Sequence, residues 1–219
     1  GVPSISDKRG LTAVEMIEAL ESGSLKAIWI VCTNPLVSLP DSKRVEAALQ
    51  KARFVVVQDI SRRSDSIKFG DVILPAAGHL EKEGTMTNSE RRVSHLPKVI
   101  DPPGEAKPDA EILCMFARAM GFEGFSYTSA AQIYDEHCSL TKGTNIDISG
   151  LSYERLRNEG TFQWPVPQSD HPGTKRLFAD RSFFTKTKKA RFLPCDSPEN
   201  LSEPLTSHCP LILTTGRIP

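Results

Sequence analysis

Apolar positions along the chain follow two alternating rhythms. Leu11, Val14, Ile17 and Leu20 recur at near-helical spacing behind Thr12 and Glu15, a capping-box pattern, and Gly23 offers the stop. The unbroken run Ala27-Ile28-Trp29-Ile30-Val31 then predicts a strand buried on both faces, because no polar residue alternates within it. Cys32 to Pro35 forms its exit loop. Pro40 and Asp41 open a second helix with Val45, Ala48 and Leu49 on one stripe, and Phe54 to Val57 makes a second buried strand ending at Gln58-Asp59. A helical turn from Ser64 to Phe69 leads to a third strand, Val72 to Leu74. Pro75 ends it, since proline has no N–H to give a central ladder. Strands and helices that alternate over short connections predict an α/β fold with a parallel sheet and right-handed crossovers.

Past Asp101-Pro102-Pro103-Gly104, a break, Pro108 suits the first turn of a helix that carries Ile112, Leu113, Phe116 and Met120 and stops at Gly121. Beyond it the rhythm weakens. Helices are expected from Ala130 to Leu140 and from Tyr153 to Asn158, and a hairpin pairing Arg176–Ala179 with Ala190–Leu193. The organisation predicted is a Rossmann-like unit over 1–125, a parallel sheet with flanking helices, followed by a less regular helical and hairpin connector over 126–209. Residues 210–219 would supply the first strand of a further unit.

Composition narrows the classes. The chain has 219 residues, 39% hydrophobic and 25% charged, enough for one large domain or two small ones. Lys plus Arg and Asp plus Glu are 27 each, so no long-range field points to nucleic acid or to an acidic membrane surface. Neither a signal peptide nor a bilayer-length apolar run is present, so no membrane contact is expected. The five cysteines, Cys32, Cys114, Cys138, Cys195 and Cys209, show no CxxC spacing, which fits reduced thiols in the cytoplasm and cannot wrap an iron–sulfur cluster. The five histidines show no HxH or HxxxH spacing, and hydrolase, P-loop and G-x-G-x-x-G signatures are missing.

Candidate chemistry lies at the strand ends, where ligands of open α/β sheets bind. Three segments converge there: Cys32 to Pro35, Gln58-Asp59, and Glu81 to Asn88, which is dense in charged and hydroxyl groups and contains Gly84. A carboxylate such as Asp59 at a strand end can accept hydrogen bonds from ribose hydroxyls; taken alone, a cap on the next turn explains it equally well or better. Asp109, at the start of the Pro108 helix, can accept the paired N–H donors of guanine, or can simply complement the helix dipole. Lys82 offers a compact positive charge, and Gly84 permits close backbone approach. Arg91 and Arg92 are expected to bridge Glu81, Glu83 or Glu90.

The order of residues from Asp71 to Arg92, DVILPAAGHLEKEGTMTNSERR, resembles the molybdopterin-dependent oxidoreductase family, with its DVxLP run followed by an E-K-E-G-T-x-T-N-x-E-R-R segment. Within that family Cys32-Thr33-Asn34-Pro35, Ser38-Leu39-Pro40-Asp41 and Phe178-Ala179-Asp180 look most like catalytic subunits of assimilatory nitrate reductases, and the resemblance runs from about Leu11 to Arg217. It implies that Asn34, Gln58, Asp59, Lys82 and Asp109 contact one of two molybdopterin guanine dinucleotides that hold molybdenum. Thr215, Gly216 and Arg217 would begin a later segment on the pterin side.

The resembled enzymes are several times longer, so the chain is expected to be an internal fragment. Its 1–125 unit would bind the dinucleotide, and 210–219 would open a pterin-binding domain. The complete enzyme would reduce nitrate to nitrite with a bis(molybdopterin guanine dinucleotide) cofactor and a 4Fe-4S cluster carried elsewhere. Its partners would be the rest of the catalytic subunit and an electron donor: ferredoxin, flavodoxin or an NADH-linked subunit. The fragment alone is expected to be inactive, with no catalytic residue or metal ligand of its own and no cofactor retained. Two alternatives stay open: a formate dehydrogenase of the same family, and a scaffold like the large peripheral subunit of respiratory complex I, in which Lys82, Asn88 and Asp109 would be degraded; their presence argues against the scaffold.

Overall fold

The computed structural model describes residues 6–194 together with positions 208, 210 and 211. It opens with helix α1 (Ala13–Ser22), and the capping box forms: Thr12 Oγ1 accepts from the Glu15 amide at 3.4 Å while the Thr12 amide donates to Glu15 Oε2 at 2.5 Å. Gly23 ends the helix at φ 74°, a left-handed conformation that costs glycine little. Strand β1 (Ala27–Val31), the one-turn helix α2 (Pro35–Ser38), helix α3 (Ser42–Lys51), strand β2 (Phe54–Asp59) and strand β3 (Val72–Pro75) follow, with a 3-10 turn over Asp65–Phe69 before β3. The three strands make a parallel sheet in the order β1-β2-β3, registered as Ile28 with Val55, Val57 with Ile73, and Asp59 with Pro75.

One face of this sheet is closed by α1 and α3. Ile30, Val55 and Val57 pack against Ile17, Leu20, Val45, Ala48 and Leu49, all buried. Each fully buried aliphatic side chain there contributes about 1.5–3 kcal/mol. The two-faced burial expected of β1 is not realised: it is an edge strand, Ile30 alone of its residues is fully buried, and Trp29 rests edge-on against Phe116 across the other face. The central strand β2 carries the burial instead, Gln58 included.

Beyond β3 the chain leaves the sheet and returns. Ala76 bridges Lys107 in parallel fashion, with the Lys107 amide on the Pro75 carbonyl at 3.1 Å and the Ala77 amide on the Lys107 carbonyl at 2.8 Å. Between these points lies an antiparallel hairpin of β4 (Gly84–Thr87) and β5 (Arg92–Leu96), which a two-residue strand β6 (Phe162–Gln163) extends. Two residues after the return, helix α4 (Asp109–Ala119) begins, and α5 (Ala130–Thr141) and α6 (Tyr153–Glu159) follow. Val93 of β5 joins Tyr134, Cys138, Ile148, Leu151, Tyr153, Leu156, Phe162 and Val166 in a second core.

Two further expectations are corrected. The polar segment after Pro75 was expected as an open binding loop; from Gly84 onward it is a paired hairpin, its turn built by Asn88, whose Oδ1 accepts the amides of Glu90 and Arg92. The hairpin of Arg176–Ala179 with Ala190–Leu193 does not form. In its place a tight turn binds the Phe183 amide to the Lys188 carbonyl at 3.0 Å, and Phe178 stacks on Phe183 at 4.7 Å. Phe178, Arg181 and Lys188 have positive φ, which an extended ladder excludes. The strand expected near Leu211 and the triplet Thr215, Gly216 and Arg217 lie outside the described residues, apart from position 211.

Candidate functional site

The Ala76–Lys107 bridge sets the amino terminus of α4 against the carboxyl ends of the parallel strands. Pro108, pre-set to φ −55°, is the residue before the first turn. Asp109 therefore emerges beside the ends of β1 and β2. Its Oδ1 accepts the Gln58 Nε2 at 2.7 Å and the Cys32 thiol at 3.1 Å, and its Oδ2 accepts the Lys82 ammonium in a short ion pair. Four residues separated widely in sequence thus meet at one carboxylate.

Each partner is held by its own local structure. Gln58 is fully buried at the end of β2, and its Oε1 has no hydrogen-bond partner among the described residues. Cys32 leaves β1 with φ 54°, its amide bound to the Gln58 carbonyl at 3.0 Å. Lys82 follows the 3-10 turn His79–Glu81, which Glu81 caps by accepting the Gly78 amide at 2.7 Å.

The electrostatics follow from the geometry. Burial pushes the Asp109 carboxyl upward, but hydrogen bonds from Lys82, Cys32 and Gln58, with the charge of Lys82, outweigh it and hold the group below the ordinary aspartate range. The Cys32 thiol is pushed up to about 11, first by burial and then by its bond to Asp109 and the nearby charge of Asp59. A protonated thiol is the form that donates.

The remaining sequence candidates stand around this cluster without joining it. Asn34 ties the loop after β1 to the turn before β3, giving its Nδ2 to Asp65 and accepting the Ser66 hydroxyl, both at 3.0 Å. Asp59 Oδ1 caps its own turn by accepting the Ser61 amide at 2.9 Å. Gly84 has open space where a Cβ would stand. Lys82 and Asp109 also line a cavity of about 620 Å³ between α4 and α5, together with Gly84, Thr85, Ser129 and Tyr134. Cys32 was missed from sequence because a lone cysteine carries no spacing signal; its place directly after a strand, within the exit loop, was the available clue.

Arg91 and Arg92 diverge. Arg92 pairs with Glu90 at 3.5 Å, as expected. Arg91 forms no salt bridge among the described residues. It turns inward instead, donating to the carbonyls of Trp164, Thr174 and Lys175, with its guanidinium over the Trp164 ring. Glu83 turns away from both toward His95, at 2.9 Å, and Arg157.

A parallel sheet flanked by helices, with a buried amide, a carboxylate and an ammonium gathered at its strand ends, makes this an open α/β protein with polar groups at the position where such folds bind ligands. The chain belongs to the molybdopterin oxidoreductase family, whose model matches residues 4–119. It is 45% identical to the assimilatory nitrate reductase catalytic subunit of Bacillus subtilis over 96% of its own length and 42% identical to a nitrate reductase of Synechocystis over 98%. It is also 40% identical to the F420-dependent formate dehydrogenase subunit alpha of Methanocaldococcus jannaschii over 98% of its length. The chain spans about 30% of the length of these relatives. The fold is shared with acetylene hydratase from Pelobacter acetylenicus, with a TM-score of 0.56, 19% identity, and coverage of 70% of this chain and 21% of that one.

Proposed function

We propose that this chain is the part of a molybdenum nitrate reductase that grips one guanine nucleotide end of a bis(molybdopterin guanine dinucleotide) cofactor. The observation that carries this is the meeting of Gln58, Lys82 and Asp109 at the strand ends, in a chain whose similarity to nitrate reductases extends over nearly its whole length. The donor set fits the group. Asp109 offers a two-oxygen acceptor to the paired N–H donors of guanine, and the orphaned Gln58 Oε1 is a buried acceptor still lacking a donor. Lys82 supplies positive charge for phosphate, and Asp59 keeps one carboxylate oxygen outside its turn cap for a ribose hydroxyl.

Bound molybdenum and pterin would supply the two-electron chemistry of nitrate reduction. The residues of this chain bind and orient. Gln58, buried and rigid, fixes the plane of the Asp109 carboxylate. The thiol of Cys32 holds the same oxygen, Oδ1. Thr215, Gly216 and Arg217 would contact the pterin side, and the iron–sulfur cluster and the docking site of the electron donor belong to other parts of the enzyme, which works in the cytoplasm.

The test uses the full-length protein, assayed for nitrite formation with a reduced dye and for bound guanine and molybdenum. Nitrite production with both ligands present is the expected result. The 40% identity to a formate dehydrogenase subunit supports a second outcome, formate oxidation, in which the same residues serve the same cofactor. A full-length protein without guanine nucleotide would defeat both.

A further inference from the structure

We propose that the outer edge of β1 is the seat of a further parallel strand, contributed by the stretch of the same subunit that precedes α1. This rests on the reading of the chain as part of a longer polypeptide, and the chain spans about 30% of the length of its relatives. Among the described residues β1 pairs with β2 alone. The Lys26 carbonyl accepts the Arg53 and Phe54 amides at 2.8 and 3.2 Å, and the Cys32 amide donates to the Gln58 carbonyl at 3.0 Å, so the even-numbered residues turn their polar backbone groups toward β2. Alternate residues of a parallel ladder face opposite sides, which directs the N–H and C=O groups of Trp29 and Val31 outward.

The sequence of β1 has none of the devices that keep an edge solitary. Ala27-Ile28-Trp29-Ile30-Val31 contains no charge and no proline, and no bulge interrupts its register with β2. An unbroken apolar run of this kind suits the interior of a parallel sheet. A strand on the outer side would give β1 that place.

Helix α1 shows from which side the neighbour comes. Ile17 and Leu20 of α1 join Val45, Ala48 and Leu49 of α3 against Ile30, Val55 and Val57, so both helices cover the same face. Crossovers between parallel strands share one hand, and helices on one face therefore step the chain across the sheet in one direction. Helix α3 carries it from β1 to β2. Helix α1 accordingly carries it into β1 from the opposite side, which is the open edge. A second copy would meet this edge as β1 against β1, antiparallel by two-fold symmetry, and would leave α1 with no strand to cross from.

Hydrogen exchange of the full-length subunit, read at single residues by mass spectrometry, tests this without any substitution. Relative to intrinsic rates, Trp29 and Val31 should exchange within about tenfold of Ile28 and Ile30, as in a strand paired on both sides. Faster exchange at Trp29 and Val31 means an open edge and overturns the proposal. In the same protein Ala27→benzoylphenylalanine, on irradiation, should cross-link to the stretch before α1 of its own subunit. Cross-links to a second copy, told apart by mixing isotopically heavy and light subunits, or to polypeptide that follows residue 219, overturn it as well. Guanine content of the same sample judges the cofactor assignment separately. A protected edge in protein that lacks guanine nucleotide leaves the added strand standing and defeats the proposed function, and a guanine-loaded protein with a fast edge does the reverse.

Discussion

Lys82 and Glu83 are neighbours in sequence whose side chains pair in opposite directions. The ammonium of Lys82 meets Asp109 at the start of α4, and the carboxylate of Glu83 meets Arg157 on α6 and His95 on β5. One peptide unit thus joins the strand-end cluster to the second core, where His95 also lies edge-on against Tyr153.

Asp109→Asn tests the cluster through pH. The Asp109 carboxyl is held below its unfolded value, so its contribution to stability is complete above about pH 4 and is lost as pH falls through the lowered native value. Urea unfolding between pH 2 and 6 should show a smaller acid-side loss in the variant than in the parent. In the full-length enzyme the same change should reduce guanine and molybdenum content, since an amide turns a donor toward the guanine donors.

Cys32 should be slow to alkylate despite its exposure. With its thiol raised to about 11, almost no thiolate exists at neutral pH. Peptide mapping after brief iodoacetamide treatment should find little label at Cys32 at pH 8 and a steep rise only as pH approaches 11. Asp109→Asn, which removes a negative charge beside the sulfur, should bring that rise to lower pH.

Arg91→Lys should destabilise the second core by roughly 2–4 kcal/mol, because an ammonium cannot reproduce a planar fork that serves three carbonyls and stacks on Trp164. Urea denaturation followed by tryptophan fluorescence is the measurement. Arg92→Lys, whose ion pair is partly exposed, should cost less than about 1 kcal/mol.

Gly150→Ala should be among the most damaging small changes in the chain. An added Cβ would stand 2.1 Å from the Gln168 carbonyl oxygen and 2.3 Å from its carbon, backbone that cannot swing aside. The loss is expected at about 1–3 kcal/mol or more. Gly84→Ala meets nothing within 4 Å and should leave the melting temperature unchanged.

What was legible in the sequence follows from how much each residue's signal is local. Thr12 with Glu15 and Gly23 specified α1 by short-range hydrogen bonding, and Val55 and Val57 declared β2 by burial. Of the five positions that the resemblance grouped, Asn34, Gln58, Asp59, Lys82 and Asp109, the strand ends bring Gln58, Lys82 and Asp109 into contact, while Asn34 and Asp59 bond elsewhere. The sheet β4-β5-β6 was hidden because its strands are polar: in Arg92-Val93-Ser94-His95-Leu96 only Val93 is fully buried, so no alternation announces a face. Arg91 was misassigned because nearby acids are visible in sequence, whereas the Trp164, Thr174 and Lys175 carbonyls that hold it come from more than seventy residues away. Cys32 was placed at a strand end without a partner; the register of β1 and β2 brings it to Asp109.

The bridge between Ala76 and Lys107 makes departure and return adjacent, like the two posts of a gate. The outward-facing positions strung between those posts, Lys82 apart, can be repainted while Gln58, Lys82 and Asp109 stay together. A lineage could therefore remodel the outward decoration of this segment for a new neighbour and keep the same grip at the strand ends.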